Sequence, residues 1–186
     1  MLIGIIGKKQ SGKDTVANYL VQNYKFEQTA FADPLKRVCT ELFALDDIYF
    51  HDDQLKEVVV EQWGMSPRQM LQRVGTDMVR RHLGDLFWVT HLQRRLDKLA
   101  PFTRVVISDV RFVSEAMFIK SRGGILVRVK RQSDENDNQD EHISEIEQEI
   151  IKEDISLFNF STKQELYQQI DSQMGSIVST DVLEIV

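Results

Sequence analysis

Residues 2–6, LIGII, are an unbroken apolar run, the pattern of a short strand buried on both faces. The period then changes: in KDTVANYLVQNY, residues 13–24, Val16, Tyr19, Leu20 and Asn23 recur at helical spacing. FEQTAFA, residues 26–32, reads as a second strand. ADPLK stops it, with Asp33 suited to cap and Pro34 to fill the first turn of a helix running to about Ala44. LDDIYFHDDQLKE, residues 45–57, is polar, aromatic and aperiodic, and reads as a mobile excursion.

Beyond it, SPRQ at 66–69 has Ser66 as N-cap, Pro67 at the first helical position and Gln69 completing a capping box, so a helix is predicted from there to about Leu83. Met70, Leu71, Val74 and Met78 form its expected core face. GDLFWVTHLQRRLDKLA reads as a helix ended by Pro101, and RVVIS as a β-branched buried strand that stops at Asp109. FVSEAMFIKSR returns as helix to Gly123 and Gly124, followed by the strand ILVRVK. QSDENDNQDE is an acidic, aperiodic loop or lid. ISEIEQEIIK is a helix, ISLFNF a last strand, and STKQELYQQI a helix with Ser161 and Gln164 as a second capping box. No internal repeat of solenoid period is present.

This alternation is a βαβ pattern. It predicts an α/β fold with a mainly parallel, roughly five-stranded central sheet, built from the runs near residues 2, 27, 104, 125 and 155 and flanked by helices. Strand order is not readable from the pattern. A single domain over residues 1–186 is expected, with a helical insertion at about 45–100 and a lid-like loop at about 131–145.

Composition narrows the function. Hydrophobic residues at 42% and charged residues at 28% suit a soluble globular chain. Twenty-three Lys and Arg against twenty-nine Asp and Glu leave a net charge of -6, which opposes stable nucleic-acid binding. The single cysteine, Cys39, cannot form an internal disulfide and reads as a small core residue in a reducing compartment. The opening apolar run is too short for a membrane span and lacks a signal-peptide charge order, so a cytoplasmic location is expected.

The strongest chemical signal is GKKQSGKDT, residues 7–15, standing between the first strand and the first helix. In Gly7, Lys8, Lys9, Gln10, Ser11, Gly12 and Lys13, the glycines permit a tight turn whose N–H groups converge on phosphate oxygens, and the helix N-terminus adds partial positive charge. Lys13 would bridge the β- and γ-phosphates. Asp14 stands where a hydroxyl normally ligates Mg²⁺, and the hydroxyl follows one residue later in Thr15; this Lys-x-Thr ending resembles the adenylate-kinase type of loop, which implies a place for Thr15 near the α-phosphate. Asp14 would then meet the metal directly or through water, or simply favour the helix N-terminus.

Asp109 ends a strand where open α/β sheets bind ligands, so it is a candidate for Mg²⁺, directly or through water, or for orienting the acceptor. Capping the helix near Phe112 is its plain structural role. Arg111, two residues on, is suited to an anionic substrate. Arg68, Gln72 and Thr76 are spaced i, i+4, i+8 and share one helix face, which by spacing alone is solvated surface. Trp88 is core by default and a stacking wall for a base otherwise. Lys36 by charge alone is a surface lysine. His142 has no second His or Cys at ligand spacing, and His51, His82 and His91 make no better metal site.

Taken together, GKKQSGKDT, FADPLK, SPRQMLQRVGTD followed by FWV, SDVRFVSEA and DEHISE resemble the deoxynucleoside monophosphate kinases of tailed bacteriophages, within the small P-loop nucleotide kinases. The resemblance covers most of residues 1–145. It implies the three-layer P-loop kinase fold and transfer of the γ-phosphate of ATP, with Mg²⁺, to a deoxynucleoside 5'-monophosphate. It also implies that Gly12, Lys13, Asp14 and Thr15 lie in the ATP loop, and that Leu35, Lys36, Arg68, Gln72, Gly75, Thr76, Trp88 and Arg111 receive the monophosphate. Arg128 and Arg131 are the candidate lid cations over the transferred group. The rivals are another small-metabolite P-loop kinase, such as one acting on dephospho-coenzyme A, and a non-enzymatic nucleotide sensor. Homodimerisation is left open by the apolar C-terminal GSIVSTDVLEIV.

Overall fold

The computed structural model describes residues 1–131 and 143–183. In chain order it contains β1 (Leu2–Ile6), α1 (Lys13–Tyr24), β2 (Glu27–Thr29), α2 (Asp33–Phe43), α3 (Ile48–His51) and α4 (Pro67–Gln72). A π-helical segment, Arg73–Arg80, continues into α5 (Arg81–Leu83). Then come α6 (Phe87–Leu96), β3 (Val105–Ile107), α7 (Val113–Ser121), β4 (Ile125–Lys130), α8 (Ile143–Ile150), β5 (Ile155–Phe158) and α9 (Lys163–Leu183). The chain divides into two compact units, Met1–Thr29 with Ala100–Val186, and Ala30–Leu99.

The first unit holds a five-stranded, wholly parallel sheet in the order β2-β3-β1-β4-β5. β1 is central because it has no polar face to show: Ile3, Ile5 and Ile6 are fully buried, and Ile3 is in register with Val106 on one side and Ile125 on the other. The crossover from β1 runs one way to β2 and that from its neighbour β3 runs the other way to β4, so the carboxyl ends of β1 and β3 flank a topological switch point, where ligands of open α/β sheets bind. One core cluster packs Ile3, Ile5, Val106, Val127, Val129 and Leu157 of the sheet against Val16, Ala17 and Leu20 of α1 and Leu166, Ile170 and Met174 of α9. The i, i+4, i+8 spacing of the last three gives α9 its docking face.

Several predicted boundaries move. β2 stops at Thr29 because the Asp33 carboxylate accepts from the Ala30 N–H at 3.0 Å and turns the chain. Asp33 is therefore not the cap of α2: it is the first helical residue, paired with Arg95 at 3.0 Å. The expected helix over 84–100 is α6, which ends at Leu96, five residues before Pro101, in i+3 turns over Lys98 and Leu99. At the last helix the capping hydroxyl is that of Thr162, which accepts from the Glu165 N–H at 3.3 Å, while Ser161 donates to the Glu165 carboxylate. The predicted Ser161–Gln164 box is thus replaced by a single capping bond one residue on, from the Glu165 N–H to Thr162.

In the second unit, Leu35, Cys39, Phe50, Met70, Val74, Trp88, Val89 and Leu92 are buried. The 45–57 segment, expected to be irregular, is built from α3 and a 3₁₀ turn at Leu55–Glu57, pinned by the fully buried Phe50 and by the Asp52 carboxylate on the Gln54 and Leu55 N–H groups, each at 2.9 Å. Those two backbone donors hold the Asp52 carboxyl below its usual range. The Ser66 capping box forms as predicted, with Gln69 N–H on the Ser66 hydroxyl at 3.4 Å and Ser66 N–H on the Gln69 amide at 2.9 Å. Met78, expected in the core, is 55% exposed. From Arg73 the helix winds with i→i+5 bonds, so a position four residues beyond Val74 no longer returns to the same face.

Candidate active site

The loop after β1 is held in a closed form by its own backbone. The Ser11 N–H donates to the Lys8 carbonyl at 3.2 Å, Gln10 has φ +58°, and Gly12 has φ +107°, a left-handed conformation that L side chains rarely adopt. The Gly12 carbonyl accepts the first bond of α1, from Val16 at 3.1 Å. The first-turn N–H groups that follow have no intrahelical acceptor and carry the positive end of the helix dipole.

Lys13 folds back over this turn, its ammonium donating to the carbonyls of Gly7 at 2.6 Å and Lys8 at 2.5 Å. Ser11 is fully buried, and its hydroxyl has no hydrogen-bond partner among the described residues. Asp14 is exposed on the first turn and Thr15 is half-buried. Two side chains from the far end of the chain reach the crest: Arg131 donates to the Gln10 carbonyl at 3.1 Å and Asn159 to the Ser11 carbonyl at 2.9 Å.

Asp109 lies two residues beyond β3, half-buried, beside the end of β1: the next residue, Val110, donates its N–H to the Ile5 carbonyl at 3.1 Å. Glu115 reaches back to the start of α7, its buried carboxylate accepting from the N–H groups of Arg111 at 2.9 Å and Phe112 at 3.2 Å. These bonds fix the backbone from which the Arg111 side chain projects. Among the described residues no group of three or more His, Cys, Asp or Glu forms a metal cage. Asp14 and Asp109 each offer carboxylate oxygens, the donor type that Mg²⁺, a hard cation, takes together with substrate phosphates.

In the Ala30–Leu99 unit, Leu35, Gly75 and Trp88 converge. The Trp88 indole N–H donates to the Gly75 carbonyl at 3.1 Å, and a Cβ on Gly75 would stand 2.5 Å from Leu35 Cδ2, so a larger residue here would have to displace the Leu35 side chain. Trp88 is buried and meets Phe87 edge-on at 5.0 Å. Arg68 is ion-paired with Glu57 at 2.6 Å, and Gln72, Thr76 and Lys36 are half-buried on their helices.

Arg128, a candidate lid cation, is engaged at the end of α8 and the start of β5. It is bound to Glu153 at 2.8 Å and to the carbonyls of Gln148 and Ile151, because a cation pointing off β4 toward the start of β5 meets carboxylate and helix-end carbonyls there. His142 and most of the predicted lid lie outside the described residues. Three polar contributors escaped the sequence reading. Asn159 sits inside the strand pattern ISLFNF, and Glu115 inside the helical pattern FVSEAMFIKSR. Arg80, only 6% exposed, donates to the Asp85 carbonyl at 2.8 Å and shapes the turn into α6. A polar residue just past a strand end was the one available signal for Asn159.

A family model described as deoxynucleotide monophosphate kinase matches residues 1–49 and 40–170. The chain belongs to the deoxynucleotide monophosphate kinase family. It is thus a nucleotide kinase, a phosphotransferase. A protein of Acanthamoeba polyphaga mimivirus, provisionally named deoxynucleotide monophosphate kinase, is 44% identical over 92% of this chain and 95% of its own length. Among solved structures, a dephospho-CoA kinase from Campylobacter jejuni matches with a TM-score of 0.50 at 12% identity, covering 97% of this chain and 98% of that one. A gluconokinase from Sinorhizobium meliloti matches with a TM-score of 0.50 at 9% identity, covering 98% and 95%. These two share the kinase's fold, a parallel sheet flanked by helices. Among the described residues no helix is long and apolar enough to cross a membrane.

Proposed function

We propose that this kinase transfers the γ-phosphate of ATP to a deoxynucleoside 5'-monophosphate in one in-line step, with no phospho-enzyme. The observation that carries the reading is the Gly7–Lys13 loop at the carboxyl end of β1, with the Lys13 ammonium held across its mouth. In this reading Gly7, Gln10, Ser11, Gly12, Lys13, Asp14, Thr15 and Arg131 bind ATP. Leu35, Lys36, Arg68, Gln72, Gly75, Thr76, Trp88 and Arg111 bind the acceptor. All of these acceptor residues except Arg111 belong to the Ala30–Leu99 unit.

Phosphoryl transfer needs positioning and charge compensation more than covalent chemistry. Lys13 leaves the loop carbonyls for the β- and γ-phosphate oxygens, while the first-turn N–H groups of α1 hold the chain of phosphates in line. Arg68 and Arg111 grip the monophosphate and hold its oxygen toward the γ-phosphorus. Asp109 orients the acceptor. Mg²⁺, held by Asp14 and Asp109 directly or through water, would neutralise charge on the phosphates.

The test is a coupled assay with ATP against the common deoxy- and ribonucleoside monophosphates and dephospho-coenzyme A, with Lys13→Ala as control. Phosphorylation of one or more deoxynucleotides is expected, and the control should lose about 10²- to 10³-fold in turnover, the usual size for one preorganised donor. Turnover on dephospho-coenzyme A alone, or a Lys13→Ala protein with normal turnover, would sink the assignment.

A further inference from the structure

Asn159 stands one residue past β5, and its backbone is not free to drift: its N–H donates to the Lys130 carbonyl at 2.8 Å, extending the β4–β5 ladder beyond the strands. From that anchor the side chain crosses to the phosphate loop, where Nδ2 donates to the Ser11 carbonyl at 2.9 Å. A carbonyl only accepts, so the NH₂ end of the amide must face it. The peptide that begins at that carbonyl ends at the Gly12 N–H. Because it is planar and trans, its C=O and N–H point in opposite directions, and pinning one aims the other.

Gly12 is shaped to the same contact. A Cβ there would lie 2.5 Å from Asn159 Nδ2, so the glycine is needed for the approach of the amide as well as for its φ of +107°. The neighbouring carbonyl, that of Gln10, is held by Arg131 at 3.1 Å. The two tethers differ chemically. A guanidinium can exchange a carbonyl for an incoming phosphate, whereas a neutral amide has little to gain from doing so and stays on the backbone.

We propose that Asn159 is a positioning residue for the phosphoryl donor: it sets the Ser11–Gly12 peptide so that the Gly12 N–H joins the first-turn donors of α1 in facing the triphosphate. This rests on the ATP-loop reading above. If the bond merely tied the end of β5 to the fold, its loss would lower stability and leave ATP recognition alone.

The experiment compares the full-length wild type with Asn159→Leu, which is close in shape, uncharged and without the donor. Asn159→Ala takes its place should the leucine variant not fold. Calorimetric titration with ATP, steady-state kinetics in both substrates and thermal melting are measured on each. Loss of one such hydrogen bond predicts that Kd and KM for ATP rise about five- to tenfold, while KM for the deoxynucleotide stays within about twofold. A fall in Tm with unchanged Kd for ATP overturns the inference, as does an equal rise in both KM values. A wild type that binds no ATP overturns the loop reading itself, and this inference with it.

Discussion

Arg128 shows how far a charged residue's role depends on what faces it. Its guanidinium and the Lys130 ammonium enclose the Glu153 carboxylate at 2.8 and 2.9 Å, and the Ser156 hydroxyl donates to it at 2.9 Å. Burial opposes the charge on Glu153, but these donors outweigh it and hold the carboxyl down at about 2, against an ordinary value of 4.5. A carboxyl depressed by folding adds stability above its unfolded value and loses it as pH falls toward the folded one. The wild type should therefore lose thermal stability as pH drops from about 4.5 to about 2. Glu153→Gln should melt lower at neutral pH and show a shallower decline across that window. Equal slopes in a pH series of melting curves would mean that the cluster contributes nothing. The buried Cys39 is the opposite case: burial alone pushes its thiol up to about 11, which keeps it an inert core residue, as its place in the sequence suggested.

At the level of elements, two boundaries announced by local chemistry were readable as predicted. Ser66, Pro67 and Gln69 start α4 as their order predicts, and the glycine loop joins β1 to α1. The π segment was not readable, since nothing in RVGTDMVR distinguishes i→i+5 from i→i+4 winding. Within it, Gly75 packs against Leu35 and its carbonyl accepts from the indole N–H of Trp88. Gly75→Ala tests that role. The new methyl gains about 1 kcal/mol in helix propensity but overpacks Leu35, which costs about 1–3 kcal/mol, so the net stability change should be small. The displaced Leu35 and Trp88 should instead raise KM for the monophosphate several-fold, with KM for ATP unaltered. Unchanged acceptor kinetics would remove this contact from the acceptor site.

For the whole molecule, the division into two compact units makes the proposed division of labour measurable. Arg68→Ala, in the Ala30–Leu99 unit, should raise KM for the monophosphate by about tenfold or more, the worth of a charge-assisted hydrogen bond, and leave ATP affinity in calorimetry within about twofold. An Arg68→Ala enzyme with weakened ATP binding and normal acceptor kinetics would overturn that division. The order of strands and helices, the parallel α/β class and the glycine loop between β1 and α1 were legible in the chain because period, capping and turn chemistry act among neighbouring residues. The order β2-β3-β1-β4-β5, the partner of Arg128 and the bond from Asn159 to Ser11 were not. Asn159 and Ser11 stand 148 positions apart, and no local propensity relates them. They meet because crossovers set β4 and β5 in register beside β1, and that register follows from burying apolar strand faces together, an energy that belongs to the folded chain and to no single stretch of it.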